Sequence, residues 1–560
     1  MIFGKKSVEG AVALLSGFLV ATAFPPFQSG QVPVWVALVP LLWLLRRSTP
    51  KGGFLLGLLS GLGFWVTTLC WFPAIIKNEG PWFLVLLGWM GLALLCASYW
   101  AWFGLLSSAL WQKFRDRGVG ARLGLILIAD PLLWVGIEWV RSWLFSGFAW
   151  NFLGVSQAEN PPMIQIASLV GVYGVSLLIL WANGALTSLA ERMFLPIWMK
   201  IRGMNPLPES RGTRFLRGLE SGLPFVLILI VWFWGSRRVA TYSRTAQGES
   251  WLITLVQPNA PCIFNLDLER TRRQFRLLQE QTQLANLTRP DLVVWPETAA
   301  PGGGPRSRAT LDFIGKSIGP GGAPLLSGMV ELERVVPTTV APKGILSYNA
   351  AYLLNADLKI LGGYRKQHLV PFGEYIPFDK QLPFLQKLAP TGFSCTPGTD
   401  AGIMTLTNAA HRSALRIGPL ICFEDTVSSL SRQAVLSGAN LLALMTNDAW
   451  FNHSCEPVQH AWQAIFRAVE NGVPMIRAAN SGVSCVVDPV GRVKRLEMDG
   501  MTTDFHGFLN QRIRAPAEVK LTPYTRFGDG LLASPGALLG LGLTLFLIYR
   551  RRRRSARKGL

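Results

Sequence analysis

Apolar residues form long unbroken runs over the first 248 positions of this chain and short runs after that, and the two patterns predict different elements. Eight stretches read as membrane helices, near residues 9–27, 31–45, 53–72, 82–111, 123–139, 164–189, 222–236 and 529–549. A bilayer core takes about 20 apolar residues per helix, so the second and seventh are short for the task. Residues 249–515 alternate β-rich runs with polar or amphipathic stretches, which predicts one α/β domain. Its strands are expected at Trp251–Gln257, Leu292–Trp295, Leu325–Val330, Asn349–Asn355, Ala414–Ile421, Leu441–Thr446, Met475–Ala478 and Cys485–Asp488. Helices are expected at Leu268–Ala285, Thr426–Ser437 and Pro457–Asn471, and Gly- and Pro-rich loops at Pro301–Pro305 and Ala389–Thr399.

With 50% hydrophobic and 16% charged residues the chain is neither disordered nor, by this composition, wholly soluble. Seventeen of its 21 Trp lie in residues 1–248, so the apolar excess belongs to the membrane region. A net charge of +21 would suit a nucleic-acid partner, but residues 249–515 hold 25 basic and 22 acidic side chains. The remaining +18 flanks the apolar runs, where it reads as a topology signal; no nucleic acid is expected. Lys5 and Lys6, then Arg46, Arg47 and Lys51, then Lys113, Arg115, Arg117 and Arg122, then Arg192 to Arg217, and finally Arg550 to Arg554 mark alternate loops. Positively charged loops remain cytoplasmic, so both termini are expected inside and the polar domain outside, periplasmic in a bacterial inner membrane. The expected division is 1–248 for seven spans, 249–520 for the polar domain, and 521–560 for the last span and basic tail. Ala21-Thr22-Ala23 after a short apolar run also fits a cleaved signal peptide, though Pro25 and Pro26 fit a helix end equally well. Within the fifth span, Glu138 is expected to pair with Arg141 one turn away, and Asp130-Pro131 to mark a helix start or kink.

Three polar residues close apolar strands, where a sheet presents side chains to a cleft: Glu297, Lys366 and Cys422. Together they form a complete set for acyl chemistry. A carboxylate takes the thiol proton, a fixed cation steadies an oxyanion, and the thiolate is the nucleophile. Cys422 sits at a strand-to-helix turn, so the N–H of Phe423 can face the reacting carbonyl oxygen. Alone, each is more often a surface or core residue. Five of the seven Cys lie in the polar domain, an odd number that leaves at least one unpaired within the chain. A metal is not expected, because His453 and His460 lack a convincing Cys or carboxylate framework, and no phosphate-binding Gly-rich loop is present.

Trp295-Pro296-Glu297-Thr298-Ala299, Tyr364 to Tyr375 and Ile421-Cys422-Phe423-Glu424 resemble the Glu-Lys-Cys motifs of the nitrilase superfamily. The second of these, with Thr446-Asn447-Asp448-Ala449-Trp450-Phe451, is similar to its membrane branch, the apolipoprotein N-acyltransferases. Phe24-Pro25-Pro26-Phe27, Glu138 to Arg141, Trp150 to Gly154 and Tyr524 to Asp529 extend the resemblance over essentially the whole chain. It departs at Phe423, where an aromatic hydroxyl is common, and at Ser481, where Asn is frequent. The resemblance implies an eight-span α-helical bundle with an α-β-β-α sandwich, no cofactor, and two-step acyl transfer through a thioester on Cys422. The implied donor is a phospholipid such as phosphatidylethanolamine and the acceptor an S-diacylglyceryl-cysteine lipoprotein. Glu297 is the implied proton carrier, and Lys366 with the Phe423 N–H the oxyanion site. Glu374 is given a supporting role beside Lys366, and Glu424 either support or stabilisation of a helix start. Trp295, Trp450 and Phe451 are assigned to the acyl or headgroup route, with packing the alternative.

Two other classes compete. A membrane-anchored nitrilase-type amidase needs one span, not eight. A transporter or channel with a ligand-binding outer domain would keep its activity in a Cys422→Ala variant.

Overall fold

A computed structural model describes residues 5–27, 30–78, 81–201, 210–245, 248–262, 268–337, 344–377, 394–451 and 453–556; part of the expected loop Ala389–Thr399 lies outside them. The chain divides into two compact units, one of residues 1–73, 83–239 and 527–560, the other of residues 74–82 and 240–526.

Among the described residues, six helices are long and apolar enough to cross a bilayer: Pro50–Lys77, Trp82–Phe114, Val119–Arg141, Val172–Phe194, Arg211–Arg244 and Pro523–Tyr549. The first two expected spans are shorter. Lys5–Ala21 is a 17-residue helix, and the stretch at 31–45 breaks into a 3-10 turn, Pro33–Trp35, and a seven-residue helix, Val39–Leu45. Pro33 and Pro40 each lack the N–H that would continue a helix, which the apolar count alone conceals. The seventh stretch errs the other way and forms the middle of a 35-residue helix, Arg211–Thr245. Pro50 at a first helical position and the Thr49 hydroxyl, which accepts from Gly52 N at 3.2 Å, show how the third is started.

The intramembrane carboxylates are partnered differently from the sequence reading. Asp130 begins a helix after a π-helical turn, Leu125–Ala129, and accepts from Ser107 Oγ at 2.8 Å and Trp111 Nε1 at 2.7 Å. Glu138 accepts from Trp134 Nε1 at 2.9 Å and Leu153 N at 2.8 Å, while Arg141 donates to the carbonyls of Phe148 and Trp150. In place of the expected Glu138–Arg141 pair, each side chain bonds to backbone groups of residues 148–153, which satisfies charge and buried backbone together.

In the second unit two six-stranded sheets carry twelve strands. They are β1 (Glu249–Gln257), β2 (Leu292–Val294), β3 (Leu325–Arg334), β4 (Ile345–Leu354), β5 (Ile360–Arg365), β6 (Met404–Leu406), β7 (Leu415–Ile421), β8 (Leu441–Asn447), β9 (Met475–Asn480), β10 (Cys485–Val487), β11 (Val493–Arg495) and β12 (Gly507–Ala515). The sheet orders are β12-β1-β2-β3-β4-β5 and β11-β10-β9-β8-β7-β6. Alternation sorts their faces: Ile253, Leu255, Leu292 and Val294 of one sheet share a core with Ile417, Ile421, Ala443 and Met445 of the other. Val256, Val293 and Leu325 instead face a second core with Leu278, Ile314 and Ile318, from the helices α1 (Leu268–Asn286) and α2 (Arg308–Ile318). Two further helices, α3 (Ser428–Leu436) and α4 (Glu456–Asn471), follow β7 and β8. The result is helix, sheet, sheet, helix. All eight expected strands are present, and β5 is the strand implied before Lys366; α2, β6, β11 and β12 were not expected.

Candidate active site

Each expected catalytic residue stands just beyond a strand. Glu297 follows β2, Lys366 follows β5 and Cys422 follows β7 at φ +53°, a left-handed backbone that a side chain rarely adopts. The close approach behind Glu297 depends on Gly328 of β3, where a Cβ would lie 2.6 Å from both Glu297 Cα and the Pro296 carbonyl oxygen.

Lys366 Nζ is buried 2.9 Å from Glu374 Oε2 and 3.8 Å from Glu297 Oε1, so Glu374 is its principal ion-pair partner. Asn349 of β4 lies between the two carboxylates, donating to Glu297 Oε1 at 2.7 Å and Glu374 Oε1 at 2.8 Å. The other Glu297 oxygen accepts from Asn447 N, at the end of β8, at 2.9 Å. Glu424 joins the two sheets behind the site. Its carboxylate accepts from Ile421 N at 2.8 Å, Gln367 N at 2.7 Å, His368 N at 3.0 Å and the Tyr364 hydroxyl at 2.8 Å.

Burial pushes the Glu297 carboxyl above its usual range, aided by Glu374 and opposed by Lys366 and the two hydrogen bonds. Burial pushes the Cys422 thiol up as well, and the charge of Glu297 adds to it against the opposing Lys366. Against the effect of burial, Lys366 is held above its ordinary value by Glu374, then by Cys422 and Glu297. Glu374 is held below its own value, again against burial, chiefly by Lys366. The resting sulfur is therefore a thiol, the lysine a fixed cation, and Glu297 a carboxyl that holds its proton more readily than an exposed one.

The profile of the Apolipoprotein N-acyltransferase N-terminal domain matches residues 16–185, and that of the Carbon-nitrogen hydrolase residues 252–497. A curated Apolipoprotein N-acyltransferase from Geobacter metallireducens is 32% identical over 97% of this chain and 95% of its own length. The chain belongs to the apolipoprotein N-acyltransferase family. A relative from Allorhizobium ampelinum is 32% identical over 88% of each chain, and one from Methylococcus capsulatus 31% identical over 97% of each. A solved structure of a variant of the Nesterenkonia AN1 amidase, from the nitrilase superfamily, aligns at 19% identity and TM-score 0.35 over 50% of this chain and 94% of that one. Membership in the apolipoprotein N-acyltransferases makes this chain an acyltransferase.

Not every residue assigned to the site reaches it. Trp295 is fully buried, donates from Nε1 to Thr282 Oγ1 at 2.9 Å and packs against Phe313 in the core beneath the helices. With Val293 it faces the core beneath the helices, which favours the packing alternative. Trp450 and Phe451 are half-buried in a 3-10 turn after β8, and Phe423 is half-buried with its ring 6.0 Å from that of His368.

The structure supplies His460 with the carboxylates that spacing did not reveal, placing donor atoms of Asp448, Glu456 and His460 within 4.8 Å of one another. His453 is elsewhere, exposed and 3.1 Å from Asp504. Asn349 was missed outright: one Asn in an apolar strand carries no sequence signal of two carboxylate partners. Cys262, Cys395, Cys422 and Cys485 of the α/β unit stand outside any disulfide.

Proposed function

We propose that the chain N-acylates the α-amino group of an S-diacylglyceryl-cysteine at a lipoprotein N-terminus, taking the acyl chain from a phospholipid such as phosphatidylethanolamine. The thiol of Cys422 attacks the ester carbonyl while Glu297 takes its proton. The S–C bond forms, the C–O bond breaks, and Glu297 returns the proton to the leaving oxygen of the lysophospholipid. In the second half the free amine attacks the thioester, gives its proton to Glu297, and the thiolate departs to be reprotonated.

The reading is supported most by the convergence of Glu297 and Lys366 on a cysteine whose proton affinity burial has raised. Such a thiol needs a base at the moment of attack, and a carboxylate with a raised pKa is a stronger base once ionised. Lys366, a cation held in place by Glu374, and the N–H of Phe423 carry the oxyanion. Glu374 orients Lys366, Glu424 supports the turn of Cys422, and Trp450 and Phe451 flank the lipid route.

Residues 1–248 and 521–560 supply the membrane region and residues 249–520 the catalytic domain, with eight crossings if the two shorter apolar segments also cross. The orientation does not depend on that count. Arg46, Arg47 and Lys51 precede the first long helix and Arg550 to Arg554 follow the last, so six crossings or eight leave the catalytic domain on the outer, periplasmic face and both termini in the cytoplasm.

Incubation with radiolabelled phospholipid and no acceptor should leave a hydroxylamine-labile acyl group on Cys422, and a lipopeptide should then remove it as an amide. Failure of active enzyme to label would overturn the reading. Release of ammonia from a small amide would favour an amidase.

A further inference from the structure

Beside the triad lies a second group of buried charges that the acyl-transfer mechanism does not use. His460 projects from α4 and is 2% exposed. Its Nε2 is 2.9 Å from Asp425 Oδ1, and its Nδ1 is 3.1 Å from Asp448 Oδ1 and 3.6 Å from Glu456 Oε1. Arg477 of β9 closes the group, with Nη2 2.8 Å from Asp448 Oδ2. The Thr446 hydroxyl donates to Asp448 Oδ1 at 2.9 Å. Gly482 is required behind it, since a Cβ there would lie 1.9 Å from Asp448 Oδ2.

The carboxylates are informative by their positions in the chain. Asp425 stands three residues after Cys422, in the 3-10 turn Cys422–Thr426. Asp448 immediately follows Asn447, whose N–H binds Glu297. Both ring nitrogens of His460 thus face carboxylate oxygens. A neutral imidazole has one N–H and would set a lone pair against one of those oxygens; the imidazolium satisfies both.

We propose, on the acyltransfer reading above, that His460 is a positioning residue: as an imidazolium it ties the turn carrying the nucleophile to the strand end that holds the base. The surroundings favour the charged ring. Burial lowers its affinity for a proton, but Asp425 and Asp448 raise it further, to about 10. Asp448, against the effect of burial, is held below the ordinary carboxylate range by Arg477 and His460. Glu456 is pushed well above that range by burial and by Asp448. Asp448 is close enough to add to the field on the Cys422 sulfur.

His460→Gln keeps much of the volume but can neither carry charge nor donate in two opposite directions. In full-length protein in nanodiscs, alkylation of Cys422 by iodoacetamide should slow about 10- to 100-fold and change its pH profile, with the same fall in kcat for acylation and little change in KM. Asp425→Asn should do the same, and the double variant should be no slower than the slower single one. His411→Gln should leave the alkylation rate unchanged. Because alkylation reads the thiol directly, it stands even if the acyl donor is another ester. Should His460→Gln fail to fold, the wild-type protein still decides the matter: histidine ring 15N shifts must report a doubly protonated His460 at pH 7.5. A neutral ring, wild-type alkylation by His460→Gln, or a stoichiometric divalent metal that leaves with the imidazole would each overturn the proposal.

Discussion

The α/β unit holds two buried clusters of charge that use similar groups to opposite ends. Around His460, each ring nitrogen has its own carboxylate, Asp425 or Asp448, and Arg477 pairs with Asp448. Around Lys366, one ammonium serves Glu374 at 2.9 Å, Glu297 at 3.8 Å and the thiol of Cys422. The sharing of a single cation among several groups, more than the kinds of residue, suits the second cluster to moving a proton.

That contrast is open to measurement. Cys422→Ala should abolish thioester formation and lower turnover by about 10^4-fold or more, the loss expected when a covalent nucleophile is removed. Retained turnover would remove the triad from the mechanism. Glu297→Gln should cost about 10^2- to 10^4-fold, the usual range for a lost general base. Its pH profile sharpens the test. Glu297 acts ionised and its pKa is raised, so wild-type activity should fall with decreasing pH at a value above the ordinary carboxylate range. Glu297→Gln should lose that limb, and an unchanged limb would assign it elsewhere.

Asn349→Ala removes donors from both carboxylates and should lower kcat by about 10- to 100-fold, as expected for hydrogen bonds to charged groups. The His460 cluster should answer to pH through stability instead. The folded-state affinity of His460 is raised, to about 10, so its contribution is complete below the unfolded value near 6.5 and is lost as pH rises through 10. Thermal midpoints measured from pH 6.5 to 10 should decline in the wild type and decline less in His460→Gln. Smallest of all, Trp295→Phe should cost about 1 kcal/mol of stability through the bond to Thr282, with acylation unchanged. A change in acyl-chain preference would return Trp295 to the substrate route.

The membrane region shows where pattern is a good guide and where it stops. Long helices such as Trp82–Phe114 were legible because an uninterrupted apolar run has one inexpensive conformation in lipid. The stretch at 31–45 was read as a span because its count is apolar; its prolines made it a turn and a short helix. Glu138 and Arg141 were paired on spacing, yet nearby backbone groups claimed both side chains.

In the α/β unit, period-two alternation announced the principal strands, and breakers at their ends marked Glu297, Lys366 and Cys422 as residues delivered to an edge. This much is local: strand, turn and chemical type are set by neighbours in the chain. Which oxygen faces Asn349, why Trp295 turns into the core, and how Asp425 and Asp448 come to share one imidazole are not local at all. They depend on two sheets closing on each other, which brings together groups as distant in the chain as Gln257 and Ser484, 227 positions apart. Burial then sets their proton affinities, and burial belongs to packing, not to any single residue.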